Sequence, residues 1–379
     1  MKKIVFVTGT RADYGKLKSI ILTLQKKKTF KVYLFVTGMH NLKIFGSTYL
    51  EIVQDKIKNI TRFKNQSLNE PMDNVLTNTT LGFKKYIKKI NPDLVVVHGD
   101  RVESLACATV SCLNNIKVGH IEGGELSGTI DEILRHSISK LSNFHFVTND
   151  QAKKRLIQMG EKQKYIFKIG SPDVDIILSK NLPILKNTLK RYDINFNSYA
   201  IALFHPVTTD VFNIEKHTKI FLESLVESQF NYILIFPNND FGSKKIFNYY
   251  NKIKNKYSNI KIFPSIRFEF FLTLMKNANF MIGNSSSGVM EAPYYGLPVI
   301  NVGSRQRNRA KIKCVKNCNF SKKVLIRQIN LYKKKKIKFK KIKFFGSGNS
   351  EKKFVKILTK KNSEIWTSSN QKYFNEISN

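Results

Sequence analysis

The fold of this chain is decided by a pattern that first occurs in residues 1–16, MKKIVFVTGTRADYGK. A short apolar run, Lys3–Thr8, ends at a glycine-containing turn, and an amphipathic stretch near Gly15–Lys27 follows. A nearly continuous apolar run of this length is typical of a strand that is buried on both faces of a sheet. We therefore predict a buried strand, a tight turn and a helix at the start of the chain.

The same alternation continues along the chain. Further strands of the first half are predicted at Lys31–Thr37, Leu94–His98, Ile116–His120, Phe144–Val147 and Ile166–Ile169. Helices are predicted between them near Asn74–Ile90, Val102–Leu113, Ile130–Leu141 and Gln151–Gly160. The pattern starts again at Tyr199–Phe204, Tyr232–Phe236, Ile260–Phe263, Phe280–Gly283 and Val299–Val302. Strands that alternate with helices predict an α/β fold with two parallel, doubly wound sheets.

The length of 379 residues favours two domains. We predict a Rossmann-like domain at 1–178 and a hinge at 179–198, where the chain is polar and contains Pro183. A second Rossmann-like, nucleotide-binding domain is predicted at 199–349. Residues 350–379 are expected to form a C-terminal helix and tail that pack back on the first domain. Two such domains bind ligands in a cleft, where the carboxyl ends of their strands face one another.

The chain is strongly basic, with 65 lysines and arginines against 27 aspartates and glutamates and a formal charge of +38. Such an excess of positive charge is typical of proteins that bind nucleic acids or anionic membranes. The excess is mostly lysine spread along the whole chain, and the densest run, Lys333–Lys343, contains a single aromatic residue, Phe339. A surface that stacks nucleic-acid bases needs several aromatic side chains. We therefore predict a solvated basic face, no nucleic-acid partner and a field that attracts pyrophosphate.

The sequence also gives expectations about the cellular compartment of the protein and about bound metal ions. It has no uninterrupted apolar stretch of about 18 residues, so we expect no transmembrane helix and no membrane partner. The first apolar run breaks at Thr8-Gly9-Thr10-Arg11 without a small-residue cleavage site, and we interpret it as a strand rather than a signal peptide. The four cysteines lack the spacing of a zinc site. We expect a cytoplasmic protein with reduced thiols and no bound metal.

Acidic residues follow the predicted strands of the first half. Asp100 and Glu122 each come after a strand, and Asp131 opens the next helix. Singly, each carboxylate could be a helix cap or a partner of the helix dipole. Because they belong to adjacent strand–helix units, we predict that they converge on one site. Crowded carboxylates raise one another's pKa, so one can donate a proton while another accepts one. Arg11, in the first strand-to-helix turn, could pair with phosphate.

The second half contains a segment typical of nucleotide binding, GNSSSGVMEA at residues 283–292. A strand leads into a small-residue turn, and the helix predicted after it would offer backbone N–H groups and hydroxyls to phosphate. Ser285, Ser286 and Gly288 belong to this turn. Glu291, predicted to lie one to two turns into the helix, could accept the hydroxyls of a ribose. A plain helix cap is the alternative reading, but the combination favours a nucleotide site.

Three more residues follow strands of the second half. His205 comes after the first strand and is expected at the sheet edge that faces the cleft, although a lone histidine is more often structural. Asn238 comes after the second strand, and Arg305 after the last. Because these positions share the carboxyl edge of the predicted sheet, they could line the same pocket.

Taken together, the motifs of the chain resemble those of the UDP-N-acetylglucosamine 2-epimerase family, in order, from residue 1 to about 309. They are Thr10-Arg11-Ala12-Asp13-Tyr14, Gly99-Asp100-Arg101-x-Glu103, His120-Ile121-Glu122-Gly123-Gly124, Asp131, Arg135-His136-x-Ile138-x-Lys140-Leu141, His205-Pro206, Gly283-Asn284-Ser285-Ser286 and Gly303-Ser304-Arg305-Gln306. Within the family the chain looks like the hydrolysing branch that opens sialic-acid-type biosynthesis. The other branch typically has Arg-Pro-Glu where this chain has Arg11-Ala12-Asp13.

The resemblance implies a glycosyltransferase-B-like fold with a central cleft and a reaction without metal or cofactor. In that reaction the 2-proton and the nucleotide leave in an anti elimination, and water adds to the resulting glycal to release N-acetylmannosamine and UDP. It also implies a homodimer or homotetramer.

The resemblance further implies roles for single residues. The carboxylates that handle protons at C2 and on the added water would be Asp100, Glu122 and Asp131. His205 would lie near the phosphates or assist the departure of UDP. The pyrophosphate would be held by Arg11, Arg101, Ser285 and Ser286. Glu291 would take the ribose, and Asn238 and Arg305 would complete the nucleotide pocket.

Three alternatives remain open. The same chemistry could act on a nucleotide-linked 2,4-diacetamido-trideoxy sugar, towards legionaminic acid. A glycosyltransferase of the same architecture would generally use a single base and would not require three carboxylates. A basic nucleic-acid-binding protein would leave those carboxylates unexplained, since carboxylates repel phosphate.

Overall fold

A computed structural model describes residues 1–306, 309, 311–334, 337–373 and 375–376. Two lysines of the basic run, Lys335 and Lys336, therefore lie outside the described residues. The chain forms two compact units, one around each of two parallel sheets. The first unit contains Met1–Glu125, Asp131–Leu178 and the residues from Phe344 onward, and the second contains Leu126–Ile130 and Ser179–Lys343.

The first unit is built on a seven-stranded parallel sheet in the order β3-β2-β1-β4-β5-β6-β7. Its strands are β1 (Lys2–Thr8), β2 (Phe30–Val36), β3 (Ile60–Arg62), β4 (Leu94–His98), β5 (Lys117–Ile121), β6 (Phe144–Val147) and β7 (Ile166–Lys168). The helices along this part of the chain are α1 (Arg11–Gln25), α2 (Tyr49–Gln54), α3 (Met72–Ile90), α4 (Val102–Leu113), α5 (Ile130–Leu141), α6 (Asp150–Gln158) and α7 (Pro172–Ile177). Separate apolar cores lie on the two faces of this sheet.

The second unit has a six-stranded parallel sheet in the order β10-β9-β8-β11-β12-β13. Its strands are β8 (Ala200–Leu203), β9 (Tyr232–Ile235), β10 (Ile260–Phe263), β11 (Met281–Gly283), β12 (Val299–Val302) and β13 (Val315–Cys318). Its helices are α8 (Leu185–Arg191), α9 (Ile214–Glu227), α10 (Ser243–Ile253), α11 (Phe268–Asn277), α12 (Ser287–Met290) and α13 (Lys322–Lys333). The prediction of an α/β chain with two doubly wound parallel sheets is confirmed.

The strand order of each sheet determines where the loops with the selected residues lie. In both sheets the chain starts at a central strand, moves to one edge, and then returns to the other side of that strand. The order reverses between β1 and β4 in the first sheet and between β8 and β11 in the second. Open α/β sheets bind ligands at the carboxyl ends of the strands beside such a reversal. The loops after these four strands carry most of the residues that the sequence analysis selected.

The edge strands β3 and β13 were not predicted. Each is short, and β3 has no buried residue while β13 has only one, so neither shows a continuous apolar run. Residues 179–198, predicted as the hinge, contain α8 and group with the second unit. Ile194 and Phe196 in this stretch are buried. None of the helices in the described ranges has the length and apolar character needed to cross a membrane.

Helix α14 (Ser350–Thr359) and the short α15 (Glu364–Thr367) belong to the first unit. The Phe354 ring of α14 lies 4.4 Å from the Phe146 ring and 6.3 Å from the Phe6 ring, measured between centroids. The start of α14 is capped by Asp175, whose carboxylate accepts hydrogen bonds from the backbone N–H groups of residues 349–351 and from the Ser350 hydroxyl, at 2.7–2.9 Å. One carboxylate therefore satisfies the first donors of the C-terminal helix.

We predict that Asp175→Ala lowers the free energy of unfolding by about 2 kcal/mol, because four donors lose their acceptor. Urea unfolding monitored by circular dichroism measures the change. The control is Asp150→Ala, which removes an exposed aspartate paired with Lys168 and should cost less than about 1 kcal/mol. Equal midpoints for the two variants would show that the cap does not stabilise the unit.

Candidate active site

The carboxylates that the sequence analysis selected lie in the first unit, around the guanidinium of Arg135. This side chain, on α5, is buried, and its Nη2 donates to the carboxylate of Asp100. Its Nη1 donates to the backbone carbonyl oxygen of Glu122 at 2.7 Å. Burial lowers the pKa of Arg135, but the negative charges of Asp100, Glu122, Glu125 and Asp131 raise it. The structure therefore brings Asp100, Glu122 and Asp131 within electrostatic range of one cation.

Glu122 is the most enclosed of the three carboxylates, with 2% of its side chain exposed against 24% for Asp100. Its Oε1 accepts a hydrogen bond of 2.5 Å from Ser171, and its Oε2 lies 3.1 Å from Nε2 of His98 and 3.5 Å from Nζ of Lys16. Burial raises the pKa of Glu122, but the charges of Lys16 and His98 hold it well below its usual range. Glu122 is therefore ionised, although the crowding of carboxylates had suggested a raised pKa.

The backbone of Glu122 is in the left-handed region, with φ at 64°. For a residue with a Cβ this conformation costs about 1–2 kcal/mol, and such strain is concentrated at functional sites. The chain is held there because the Glu122 N–H donates to the Phe146 carbonyl oxygen at 2.9 Å while the Glu122 carbonyl accepts from Arg135. These two bonds direct the side chain towards Lys16 and His98.

His98, the last residue of β4, lies between two carboxylates. Its Nδ1 is 3.3 Å from Oδ1 of Asp13, and its Nε2 faces Glu122. Burial and the Lys16 charge lower the pKa of His98, but its contacts with Glu122 and Asp13 raise it to about 9. Burial raises the pKa of Asp13, but the hydrogen bond and charge of His98 lower it to about 2. At neutral pH the pair is therefore an imidazolium and a carboxylate.

Both arginines that were predicted to hold pyrophosphate have carboxylate partners inside the first unit. Nη2 of Arg11, the first residue of α1, lies 2.5 Å from Oε1 of Glu51. Nε of Arg101 donates to Oε2 of Glu103 at 3.1 Å. Both side chains remain partly exposed, at 17% and 20%. Each can bind a further anion only with its remaining N–H groups, because these carboxylates occupy one side of the guanidinium.

In the second unit, His205 is held at the reversal of strand order. Oδ1 of Asn284, directly after β11, accepts from the His205 N–H at 2.7 Å, and its Nδ2 donates to the His205 carbonyl oxygen at 2.8 Å. Nδ1 of the imidazole accepts from the backbone N–H of Asn238 at 3.1 Å. Because Nδ1 is an acceptor, the ring proton of the neutral imidazole is on Nε2, which makes that atom a donor.

The serine turn follows β11. A Cβ at Gly283, where φ is 137°, would overlap the Leu203 carbonyl oxygen, so the turn requires glycine. Ser285 is buried, its Oγ accepts from the Ser287 N–H at 3.3 Å, and Arg305 donates to the Asn284 carbonyl oxygen at 3.4 Å. Arg305 and the serine turn are therefore neighbours, as their positions after strands of one sheet suggested.

One expectation about this segment needs correction. The helix α12 is only four residues long, so Glu291 follows its last residue instead of lying one to two turns inside it. The chain turns there into a short 3₁₀ segment that contains Pro293, which cannot donate the hydrogen bond that would continue the helix. The glycine at position 288 is explained by packing, because a Cβ there would lie 2.8 Å from Cγ1 of Val299 on β12.

Asn238, after β9, uses its side-chain amide inside the second unit, where it donates to Asp240.

Several residues of the first unit were assigned no role from the sequence, although Asp13 and Arg135 belong to the motifs quoted above. They are Asp13, Lys16, His98, Arg135, Ser171 and Asp173. The rule that selected Asp100 also applies to β7, since Ser171 and Asp173 lie at the start of the helix that follows that strand. Lys16 lies three residues after Asp13 on α1 and therefore shares its face. Both signals were present in the sequence.

Comparisons with known proteins agree on one family. The model of the family described as UDP-N-acetylglucosamine 2-epimerase matches residues 22–359. A "UDP-N-acetylglucosamine 2-epimerase" of Neisseria meningitidis serogroup B is 42% identical, with all of both chains covered. A "UDP-N,N'-diacetylbacillosamine 2-epimerase (hydrolyzing)" of Legionella pneumophila is 34% identical, covering 82% of this chain and 83% of the relative. A Methanocaldococcus jannaschii UDP-GlcNAc 2-epimerase structure in complex with UDP-GlcNAc and UDP has a TM-score of 0.78 and 26% identity, covering 95% and 99%.

The family match spans most of the chain, and the first of these relatives matches it from end to end. Fold, site and comparisons therefore lead to one conclusion: this chain is an enzyme that belongs to the UDP-N-acetylglucosamine 2-epimerase family.

Proposed function

We propose that the protein is a hydrolysing UDP-N-acetylglucosamine 2-epimerase, which converts UDP-N-acetylglucosamine and water into N-acetylmannosamine and UDP. The observation that carries this proposal is the grouping of Asp100, Glu122 and Asp131 around Arg135. A single base would serve a glycosyl transfer, whereas removing and returning a proton at carbon requires groups in different protonation states. The proposal includes a cytoplasmic homodimer or homotetramer.

The reaction has two stages. In the first, a base takes the proton from C2 of the sugar, the C–H electron pair forms a C1–C2 double bond, and the C1–O bond breaks with its electrons leaving on UDP. In the second, the hydroxyl of water adds to C1 of this glycal, and a proton is delivered to C2 on the opposite face. The sum consumes one water and inverts C2. The three carboxylates are the proposed carriers of these protons.

The electrostatics of the first unit suit this chemistry. The Arg135 guanidinium holds Asp100 in place near the surface of the unit, where a substrate can reach it. Glu122 stays ionised beside Lys16 and His98. A fixed negative charge close to the reacting carbon opposes the build-up of electrons at C2 but favours the positive character that develops at C1 as UDP departs. Which carboxylate acts as base in each stage is left open.

The second unit is proposed to hold the nucleotide. Ser285, Ser286 and Arg305 would contact the diphosphate. His205 would donate through Nε2 to the leaving phosphate, because its Nδ1 is occupied by the Asn238 N–H. Glu291 would bind the ribose, and Asn238 and Gly288 would form part of the pocket wall.

A second candidate substrate is a nucleotide-linked 2,4-diacetamido-trideoxy sugar. Two relatives of this chain, from Legionella pneumophila and Campylobacter jejuni, are 34% and 35% identical to it. They are named as hydrolysing 2-epimerases of nucleotide-linked N,N'-diacetylbacillosamine. Their names favour the hydrolysing reaction, and the chemistry at C2 would be the same. N-acetylglucosamine is preferred because the 42% identical relative, matched over the whole chain, carries the name of that substrate.

We predict that incubation with UDP-N-acetylglucosamine in D₂O yields free N-acetylmannosamine with deuterium at C2, together with UDP. The label follows because the returned proton comes from solvent-exchanged carboxyl groups. Proton NMR of the products measures both. A UDP-linked 2-epimer without free sugar would indicate a non-hydrolysing epimerase, and release of UDP without C2 labelling would contradict the proposed chemistry. Turnover of the diacetamido nucleotide alone would support the second candidate.

Asp100→Asn is predicted to lower kcat by a factor of about 100 or more, because a proton carrier is lost. UDP binding should change little, since the amide keeps the size of the side chain. Steady-state kinetics and calorimetric titration with UDP measure the two effects. Asp150→Asn, which neutralises an exposed aspartate of the same unit, serves as the control and should keep full activity. Equal kcat for both variants would remove Asp100 from the mechanism.

Ser286→Ala is predicted to weaken UDP binding by a factor of about 5, the loss of one hydrogen bond, with a smaller effect on kcat. The matched control is Ser258→Ala, at an exposed serine of the same unit. Calorimetric titration of UDP into each variant measures the two affinities. An unchanged affinity would place the diphosphate away from this turn.

A further inference from the structure

Five ionisable side chains of the first unit form a largely buried cluster: Asp13, Lys16, His98, Glu122 and Asp173. Lys16 Nζ lies 2.8 Å from Oδ2 of Asp173 and 3.5 Å from Oε2 of Glu122. His98 lies 3.1 Å from Glu122 and 3.3 Å from Asp13. The cluster thus contains three carboxyl groups but only two groups that can be cations. If every acid were ionised, it would hold one negative charge without a counter-charge.

The neighbouring arginines compensate that charge only in part, because each is paired with a carboxylate of its own. Arg101 donates to Glu103, Arg135 to Asp100, and Arg11 pairs with Glu51. Burying a charge without a partner is costly, and a buried acid in that position retains its proton instead. One carboxyl group of the cluster should therefore be protonated in the resting protein.

The contacts identify which one it is. Glu122 accepts a hydrogen bond from Ser171 and faces two cations, and Asp13 faces His98 and lies within the field of Arg101. Asp173 is enclosed, with 1% of its side chain exposed, and Nζ of Lys16 lies 2.8 Å from its Oδ2. Among the described residues, neither Oδ1 nor Oδ2 has a hydrogen-bond partner of ordinary geometry. Of the three carboxyl groups, Asp173 has the least support for a negative charge.

We propose that Asp173 is a positioning residue that holds a proton in the resting enzyme, so that the charge of Lys16 serves Glu122 and keeps Glu122 ionised. Burial raises the pKa of Asp173 and Lys16 lowers it, but the charge of Glu122 adds to the effect of burial and the net direction is upward. His98 lowers the pKa further, by less. The proposal rests on the proposed function only in that Glu122 takes part in the reaction.

A pH dependence follows from this arrangement. While Asp173 holds its proton, Lys16 stabilises the negative charge of Glu122. As the pH rises, Asp173 ionises and competes for the Lys16 ammonium. Lys16 then stabilises the negative charge of Glu122 less, the proton affinity of Glu122 changes, and kcat falls. A neutral residue of the same shape at position 173 would not ionise. It should therefore remove this part of the alkaline decline.

The experiment compares the pH profile of kcat for the wild type and Asp173→Asn in the full-length protein. We expect the variant to keep kcat within about threefold at neutral pH, and its alkaline limb to move upward by about one pH unit. A profile identical to that of the wild type would overturn the proposal, since Asp173 would not be coupled to the site. A loss of the same factor at every pH would also overturn it, since the charge of Asp173 would then be required.

Asp175→Asn is the matched control, because this carboxylate lies on the same helix and caps α14 without facing the cluster. It should keep the wild-type pH profile, and a displaced limb in this variant would overturn the assignment to Asp173.

Infrared spectroscopy of the wild type, without substrate, provides a second readout. A protonated-carboxyl band that shifts on ¹³C-aspartate labelling is expected at neutral pH, and its absence would overturn the proposal even if Asp173→Asn did not fold. Because this measurement needs no turnover, failure of the enzyme to act on UDP-N-acetylglucosamine would count against the proposed function alone.

Discussion

The buried guanidinium of Arg135 is the interaction on which the arrangement of the first unit depends. A buried cation is costly unless hydrogen bonds and negative charge compensate it, and the two Nη groups of Arg135 find their partners on the loops after β4 and β5. The same two bonds hold Asp100 near the surface and fix the carbonyl of Glu122. Since Glu122 has a strained backbone, this bond also helps to hold the conformation that directs its side chain inward. Loss of Arg135 would release both loops at once.

The electrostatics of the unit divide the carboxyl groups into different states. Contacts with Lys16 and His98 keep Glu122 ionised, and burial with a nearby negative charge favours the neutral form of Asp173. Like groups in one small region thus differ because their partners differ, not because their chemistry does. An enzyme that must take and return protons at carbon benefits from this division, since a uniform set of carboxylates would offer only one kind of group.

The sequence was sufficient to predict much of the fold and part of the site. Buried strands such as β4 and β8 have nearly continuous apolar runs, and they were predicted at nearly the positions where they occur. The edge strands β3 and β13 were missed because an edge strand buries little and has no such run. Asp173 was missed although the strand before it was predicted, because it lies five residues after the end of β7 and inside α7. Glu291 was placed inside a helix because the turn at Pro293 was not recognised.

By itself, the sequence determined the alternation of strands and helices, the two parallel sheets and the set of loops that carry polar residues, because hydrophobic periodicity and turn residues act locally. Only the tertiary structure decided which side chains meet and in which protonation state. Arg135 with Asp100, His98 with Asp13, and Lys16 with Asp173 are pairs separated by 35 to 157 residues. Their contacts depend on strand order, and their pKa values depend on burial and on the charges brought beside them, neither of which is encoded in any single segment.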